Sequence, residues 1–284
     1  MKSYPRRKIP AGIIFSDLDG TLLDHHTYDF DPARHALELL ESHGIDLVLC
    51  SSKTRAELLV WQRRLSIAGP FVSENGGGVF LTGGGPLAAC FPELQGSLSV
   101  RSFGTPCAVL RTHLREVAAR LGLAVRGFGD MTLEEIVSLT GLPSWEAELA
   151  HQRDYDEPLL FEEGTSEEQK IALRDGLAEI SFNLVEGGRF WHLTGGNDKG
   201  LAVRWLLDAY GRCYGAVPPS LALGDSDNDF PMLLSAGNGV LVEKPGGGHA
   251  RGAPPGVTKV KGAGPLGWAK AVTDWIEKGL SSPK

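Results

Sequence analysis

Near the start of the chain, apolar positions come in short unbroken blocks. Gly12–Ser16 and Ile45–Cys50 read as strands buried on both faces. Between them the pattern becomes amphipathic and predicts a helix over 33–42, with Asp31 as its cap, Pro32 in its first turn and Gly44 just past its end. Thr54 and Glu57 form a capping-box pattern, which opens a helix running through Leu58, Leu59, Trp61 and Leu65. Phe71 and Val72, the run Glu74-Asn75-Gly76-Gly77-Gly78, and Val79 to Leu81 then read as a short strand pair around a turn. This βαβαβ order predicts a parallel sheet with helices on both faces.

The same alternation returns late in the chain. It predicts a helix over 198–210, a strand over 220–223, a helix over 228–235, a strand over 239–242 and a closing helix over 266–278. The stretch between has another texture. It predicts a helix over 107–121, a strand near 124–126, short helices around 133–139 and 145–152, and a strand over 159–162. Ser166 and Gln169 open a further helix, and strands follow over 181–185 and 189–192. The expectation is an α/β core split into 11–84 and 191–280, with an α+β insert over 85–190. The Pro/Gly-rich run 244–256 reads as a surface loop.

Composition narrows the class. Of 284 residues, 42% are apolar and 22% charged, as in ordinary globular enzymes. Lys and Arg number 28 against 35 Asp and Glu, and the net charge of −7 gives no general attraction to nucleic acid or anionic membrane. Neither is an expected partner. No stretch approaches the roughly 20 apolar residues of a membrane span, and the apolar run behind the basic start, residues 1–8, is too short for a signal sequence. Cys50, Cys90, Cys107 and Cys213 show no C-x-x-C pair and are expected to be reduced thiols, most of them buried. A cytoplasmic location is therefore expected, and the pattern suits a monomer or a dimer equally.

Candidate chemistry sits where the predicted strands end. Asp17-Leu18-Asp19-Gly20-Thr21 follows the first strand, and strand alternation would place Asp17 and Asp19 on one side. Two adjacent carboxyls require a cation, a proton or both, which would let Asp17 attack phosphorus while Asp19 works as acid and base. The plainer reading is a pair of turn aspartates before a glycine. Gly224-Asp225-Ser226-Asp227-Asn228-Asp229 follows a late strand. Asp225 fits a Mg²⁺ shared with Asp17, and Asp229 a place behind it orienting a metal-bound water. Asp227 or Asn228 also fits a simple helix cap. A calcium loop fails on spacing, since no Glu stands twelve residues on from the first Asp. Ser51 ends the second strand, where its hydroxyl could hold phosphate oxygens. Lys199 opens a helix, where the dipole disfavours a cation and a phosphoryl group would explain one. Each of these two also fits a structural role, as a cap or on a solvated face.

The series D-x-D-G-T, strand-end Ser, helix-start Lys and G-D-x-x-N-D resembles the four motifs of the haloacid dehalogenase superfamily. That resemblance implies Asp17 as nucleophile, Asp19 as general acid and base with its carbonyl on the metal, and Asp225 as metal ligand. It also implies a Rossmann-like parallel core with an inserted α+β cap of the Cof-type (C2B) branch. The run Ser51-Ser52-Lys53-Thr54-Arg55-Ala56-Glu57 is similar to the S-S-K-T-R-x-E of mannosyl-3-phosphoglycerate phosphatases. So are Met131-Thr132, Thr140-Gly141-Leu142, Arg153 to Pro158, and Gly188-Arg189-Phe190-Trp191-His192 before Asp198-Lys199-Gly200. This narrower likeness implies a small phosphorylated glycoside as substrate and the osmolyte mannosylglycerate as product. A glucosyl analogue or another sugar phosphate is the alternative.

A substrate with phosphate and carboxylate would find cations in Lys53, Arg55 and Arg153, although both arginines also suit surface ion pairs. Ser52, Glu74, Asn75, Gly76 and Asn228 are further candidates to line its pocket, although a plain turn also explains residues 74–76, and His192 and Trp191 are weaker ones. A signalling receiver that stores phosphate on Asp17 also uses an acidic pocket, a hydroxyl and a lysine. The adjacent acid Asp19 and the large insert argue against it, because both favour fast hydrolysis.

Overall fold

The computed structural model describes residues 9–186 and 190–279. The basic start, the end of the chain from 280, and Gly188 and Arg189 of the cap motif lie outside the described residues. In chain order the elements are β1 (Gly12–Ser16), α1 (Arg34–His43), β2 (Ile45–Cys50), α2 (Arg55–Arg64), β3 (Pro70–Ser73), β4 (Gly78–Leu81), β5 (Glu93–Gln95) and β6 (Leu98–Ser102). Next come α3 (Cys107–Leu121), β7 (Val125–Gly127), α4 (Leu133–Thr140), α5 (Ser144–His151), β8 (Asp156–Phe161), α6 (Glu167–Ala178), β9 (Asn183–Glu186) and β10 (Trp191–Thr194). The chain closes with α7 (Lys199–Tyr214), β11 (Ser220–Gly224), α8 (Phe230–Ser235), β12 (Asn238–Glu243), β13 (Val257–Ala263) and α9 (Pro265–Glu277).

Nine strands form the core sheet in the order β13-β12-β11-β1-β2-β3-β4-β6-β5. From β13 to β3 they run parallel, while β4, β6 and β5 add antiparallel ladders. The apolar blocks are central strands because both faces are covered. Ile14, Leu47, Leu49, Leu221 and Leu223 pack with Trp268 and Trp275 of α9 on one face. Ile13, Phe15, Val48 and Ala222 pack with Val203 and Leu206 of α7 on the other. The chain winds outward from β1 to β3, then returns to place β11 on the opposite side of β1. That makes β1 the topological switch point, where open α/β sheets bind ligands beyond the strand ends.

A second sheet, antiparallel in the order β7-β8-β10-β9, forms the cap. α3 and α6 supply Leu110, Leu114, Leu173 and Leu177 to one cluster, and Ile136 of α4 and Ala147 of α5 belong to another. Sheet membership corrects the expected insert limits at both ends. β5 and β6 extend the core sheet although they fall within 85–190, and Trp191–Thr194 belongs to the cap sheet although it falls within 191–280.

Two local expectations also change. Asp31 opens a short 3-10 turn instead of capping α1, and Asp29 accepts its N–H at 3.0 Å. At the late acidic motif the cap is Ser226, in a capping box with Asp229, not Asp227 or Asn228. All four cysteines are free, but only Cys50 and Cys107 are buried.

Candidate active site

β1, β2 and β11 lie side by side, and a site residue follows the end of each: Asp17, Ser51 and Asp225. Ser16 pairs in register with both Leu49 and Leu223, so the three residues stand nearly level. The Asp17 N–H continues the ladder, donating to the Leu223 carbonyl at 2.9 Å. One oxygen each from Asp17, Asp225 and Asp229 lies within 4.8 Å of the others, and all three residues are buried.

α7 brings in the cation. Asp198 caps that helix, accepting the Leu201 N–H at 2.7 Å, and the next residue, Lys199, is fully buried. Its Nζ donates to Asp17 Oδ1 at 2.7 Å and to Asp229 Oδ1 at 2.6 Å. Burial by itself would lower the ammonium pKa, but the two carboxylates hold it above the usual lysine range. Burial pushes Asp229 up, against the attraction of Lys199. Burial and then the Asp17 charge push Asp225 up. Thr21 Oγ1 stands 3.4 Å from both Asp17 Oδ2 and Asp225 Oδ1 and links the two acidic segments.

Three carboxylates against one ammonium leave an excess of negative charge in a buried, all-oxygen donor set. That environment suits a hard divalent cation. Asp17 Oδ2 and Asp225 Oδ1 face the Thr21 hydroxyl and not the ammonium, so these two could hold a cation directly. Asp229 is already engaged: Oδ1 takes Lys199, and Oδ2 takes the N–H groups of Asp225 and Ser226 at 3.0 and 3.1 Å. Its place is that of a support behind the ligands.

Asp19 does not join this cluster as strand alternation predicted. The strand stops at Ser16 and the chain turns through Gly20, whose φ is +79°, so alternation no longer applies. Asp19 Oδ2 instead pairs with Lys53 Nζ at 2.9 Å. Its Oδ1 is buried with no hydrogen-bond partner among the described residues, an open acceptor beside the cluster. Lys53 is held above the usual lysine range by Asp19 and Glu57, although burial opposes this.

Arg55 and Arg153, expected to face the substrate, are engaged between core and cap. Arg55 Nε donates to Asp154 Oδ2 at 3.0 Å, and Arg153 donates to the Ser52 carbonyl at 2.9 Å and to Asp156 Oδ2 at 3.3 Å. Ser52 thus contributes its carbonyl to the cap contact. Ser51 Oγ accepts the Lys53 N–H at 3.2 Å, which fixes the turn leading into α2. His192 lies in the cap sheet, 2.9 Å from Asp156 Oδ2. Burial works against the Asp156 charge, yet His192 and Arg153 hold that carboxyl below its usual range.

The turn after β3 ties these pieces together. Glu74 is fully buried, and its carboxylate accepts the N–H groups of Asp154 at 2.9 Å and of Tyr155 and Asp156 at 2.8 Å. Asn75 donates its N–H to the Ser51 carbonyl at 3.0 Å, and its Oδ1 accepts from Asn228 Nδ2 at 3.1 Å. Gly76 has φ +92°, and a Cβ there would lie 2.1 Å from the Asp198 carbonyl oxygen. Only glycine lets this turn sit against the start of α7, and so it helps to place Lys199.

Sequence reasoning assigned no role to Thr21 or Asn197. Thr21 stood inside the first acidic motif, a usable signal. Asn197, which donates to the Glu74 and Asn75 carbonyls at 3.2 and 3.3 Å, carried none, because its partners are more than a hundred positions away.

A doubly wound sheet with this carboxylate and lysine cluster at its switch point suits phosphoryl chemistry, and the phosphatases that the chain matches over nearly its whole length make it a phosphomonoester hydrolase. Residues 14–85 match the model of the haloacid dehalogenase-like hydrolase family. A glucosyl-3-phosphoglycerate/mannosyl-3-phosphoglycerate phosphatase from Methanococcoides burtonii is 41% identical to the chain, covering 94% of it and 97% of the relative. A phosphatase of the same description from Persephonella marina is 37% identical, over 92% and 95%. The crystal structure of a haloacid dehalogenase-like hydrolase from Bacteroides thetaiotaomicron shares the fold, with a TM-score of 0.63 at 20% identity over 93% and 98% of the two chains. The chain belongs to the haloacid dehalogenase-like hydrolases.

Proposed function

We propose that the protein hydrolyses mannosyl-3-phosphoglycerate to mannosylglycerate and phosphate, through a phosphoryl group carried on Asp17. The observation that carries the chemistry is the cluster of Asp17, Asp225 and Lys199 at the switch point. The names of the two relatives, which span nearly the whole chain, support the substrate. They favour the glucosyl ester equally, and that is the second reading.

In the first half-reaction an Asp17 oxygen bonds to phosphorus, the bond from phosphorus to the glycerate oxygen breaks, and Asp19 gives that oxygen its proton. In the second, water attacks phosphorus, Asp19 takes up the proton, and Asp17 is released with phosphate. Lys199 and the Ser51 hydroxyl hold phosphoryl oxygens and offset their charge. Asp17, Asp225 and the Asp19 carbonyl would hold Mg²⁺, which supplies further charge neutralisation at the phosphoryl group. Among the three candidate cations, Lys53 is the one we assign to the substrate carboxylate, since it already pairs with a carboxylate at the site. The four free cysteines fit a reducing compartment, so we place the protein in the cytoplasm.

The test is phosphate release from synthetic mannosyl-3-phosphoglycerate, its glucosyl analogue and a plain hexose phosphate, with and without Mg²⁺. The expected result is Mg²⁺-dependent turnover of one or both glycosyl esters at a kcat/KM well above that of the hexose phosphate. Faster turnover of the hexose phosphate would contradict the substrate, and full rates in chelator would contradict the metal.

A further inference from the structure

We propose that the cleft between the Tyr28 loop and cap helix α5 is the subsite for the sugar ring of the leaving group, with Tyr28 and Trp145 bracketing that ring. This rests on the glycosyl-phosphoglycerate reading above and names the residues that would read the glycosyl part. The cleft has a volume of about 110 Å³ and is lined by Tyr28, Lys53, Glu57, Trp61, Leu142 and Trp145, among others. Lys53 connects it to the chemistry. Its Nζ is 2.9 Å from Asp19, the acid that meets the leaving oxygen, and 5.1 Å from the centroid of the Tyr28 ring. Lys53 thus spans from the acid to the lining of this cleft.

The Tyr28 loop is constructed for display. Asp24 Oδ1 accepts the N–H groups of His26 and Thr27 at 3.0 and 2.9 Å and the Thr27 hydroxyl at 2.9 Å, folding the loop on itself. Tyr28 then adopts φ +56°, a left-handed conformation that is strained for an aromatic residue. The strain does not lead to burial, since Tyr28 remains 38% exposed, and Trp145, which lines the same cleft, is 49% exposed. Two large aromatic side chains, one from the core and one from the cap, thus stand open at the same opening. Aromatic faces pack well against the C–H faces of a sugar ring and leave its hydroxyls free for polar partners.

Charge selects among possible occupants. Glu57 and Glu146 stand in the lining with Arg64, so away from Lys53 the cleft suits a neutral ring bearing hydroxyls better than a second anion. The cap helix is docked here by Thr54, whose Oγ1 donates to the Leu149 carbonyl at 2.9 Å, and this sets the spacing of the two aromatic residues.

The experiment compares wild type, Tyr28→Leu, Trp145→Leu and Trp145→Phe on mannosyl-3-phosphoglycerate and on 3-phosphoglycerate, which has the phosphate and carboxylate but no ring. The quantity read is the ratio of kcat/KM for the two esters, in which any loss of folded enzyme cancels. Each Leu variant is expected to lower that ratio about tenfold, mainly through KM, and Trp145→Phe to restore most of it. An unchanged ratio in both Leu variants overturns the subsite while leaving the substrate reading intact. A wild-type enzyme that turns over 3-phosphoglycerate but not the glycosyl ester overturns that reading and the subsite with it.

Discussion

Lys199 shows how one buried residue can hold a site together. Its ammonium lies between Asp17 and Asp229, all three withdrawn from water, so the charges are tolerable only as a set. Replacing it with Met leaves two buried carboxylates without their cation. Lys199→Met is expected to lose about 3 kcal/mol of stability, seen as a lower midpoint in denaturant unfolding, along with its activity. At this scale the sequence was informative wherever a residue followed the end of a predicted strand or opened a helix. Asp17, Asp225 and Lys199 meet in one cluster and Ser51 stands nearly level with Asp17, because strand ends at a switch point converge by topology. The partners of Asp19, Arg55 and Arg153 were not legible. Asp154 and the Ser52 carbonyl meet the two arginines only after core and cap have docked, Lys53 meets Asp19 only once β1 and β2 are paired, and no local spacing encodes either contact.

Among elements, the turn between β3 and β4 deserves its own test. Through Glu74 it holds three successive N–H groups where the cap strand β8 begins. Burial pushes the Glu74 carboxyl up to about 7, against the pull of Arg153 and of those N–H groups. A carboxyl whose folded value exceeds its ordinary one binds its proton more tightly in the folded state. Its contribution to stability is thus complete below the ordinary value of 4.5 and is lost as pH rises through about 7. Between those limits Glu74 makes stability fall by up to about 1.4 kcal/mol per pH unit. Glu74→Gln is expected to remove that slope, and urea unfolding of both proteins across pH 4.5 to 7 measures it. Parallel pH profiles would contradict the assignment. Of the strands that the pattern missed, β5, β6 and β13, the first and last share one physical trait. β5 is exposed throughout, and β13 presents Thr258, Lys259 and Lys261 to solvent, so each is an edge strand without the apolar run that marked the others.

At the scale of the whole molecule, a sheet that reverses direction at β1 brings distant segments to one point, and the cap places a second set of residues above it. The net charge of −7 works against an anionic substrate, so binding depends on local cations, and buried Lys199 and partly exposed Lys53 are two such cations at the site. The central claim is that Asp17 carries the phosphoryl group between the two half-reactions. The direct measurement is an acid-quenched single turnover with phosphate-labelled mannosyl-3-phosphoglycerate and Mg²⁺, followed by peptide mapping. The account predicts transient label on the peptide containing Asp17, and neither label nor turnover in a folded Asp17→Asn variant. Phosphate release by Asp17→Asn at the wild-type rate would contradict it, as would label that maps to another residue.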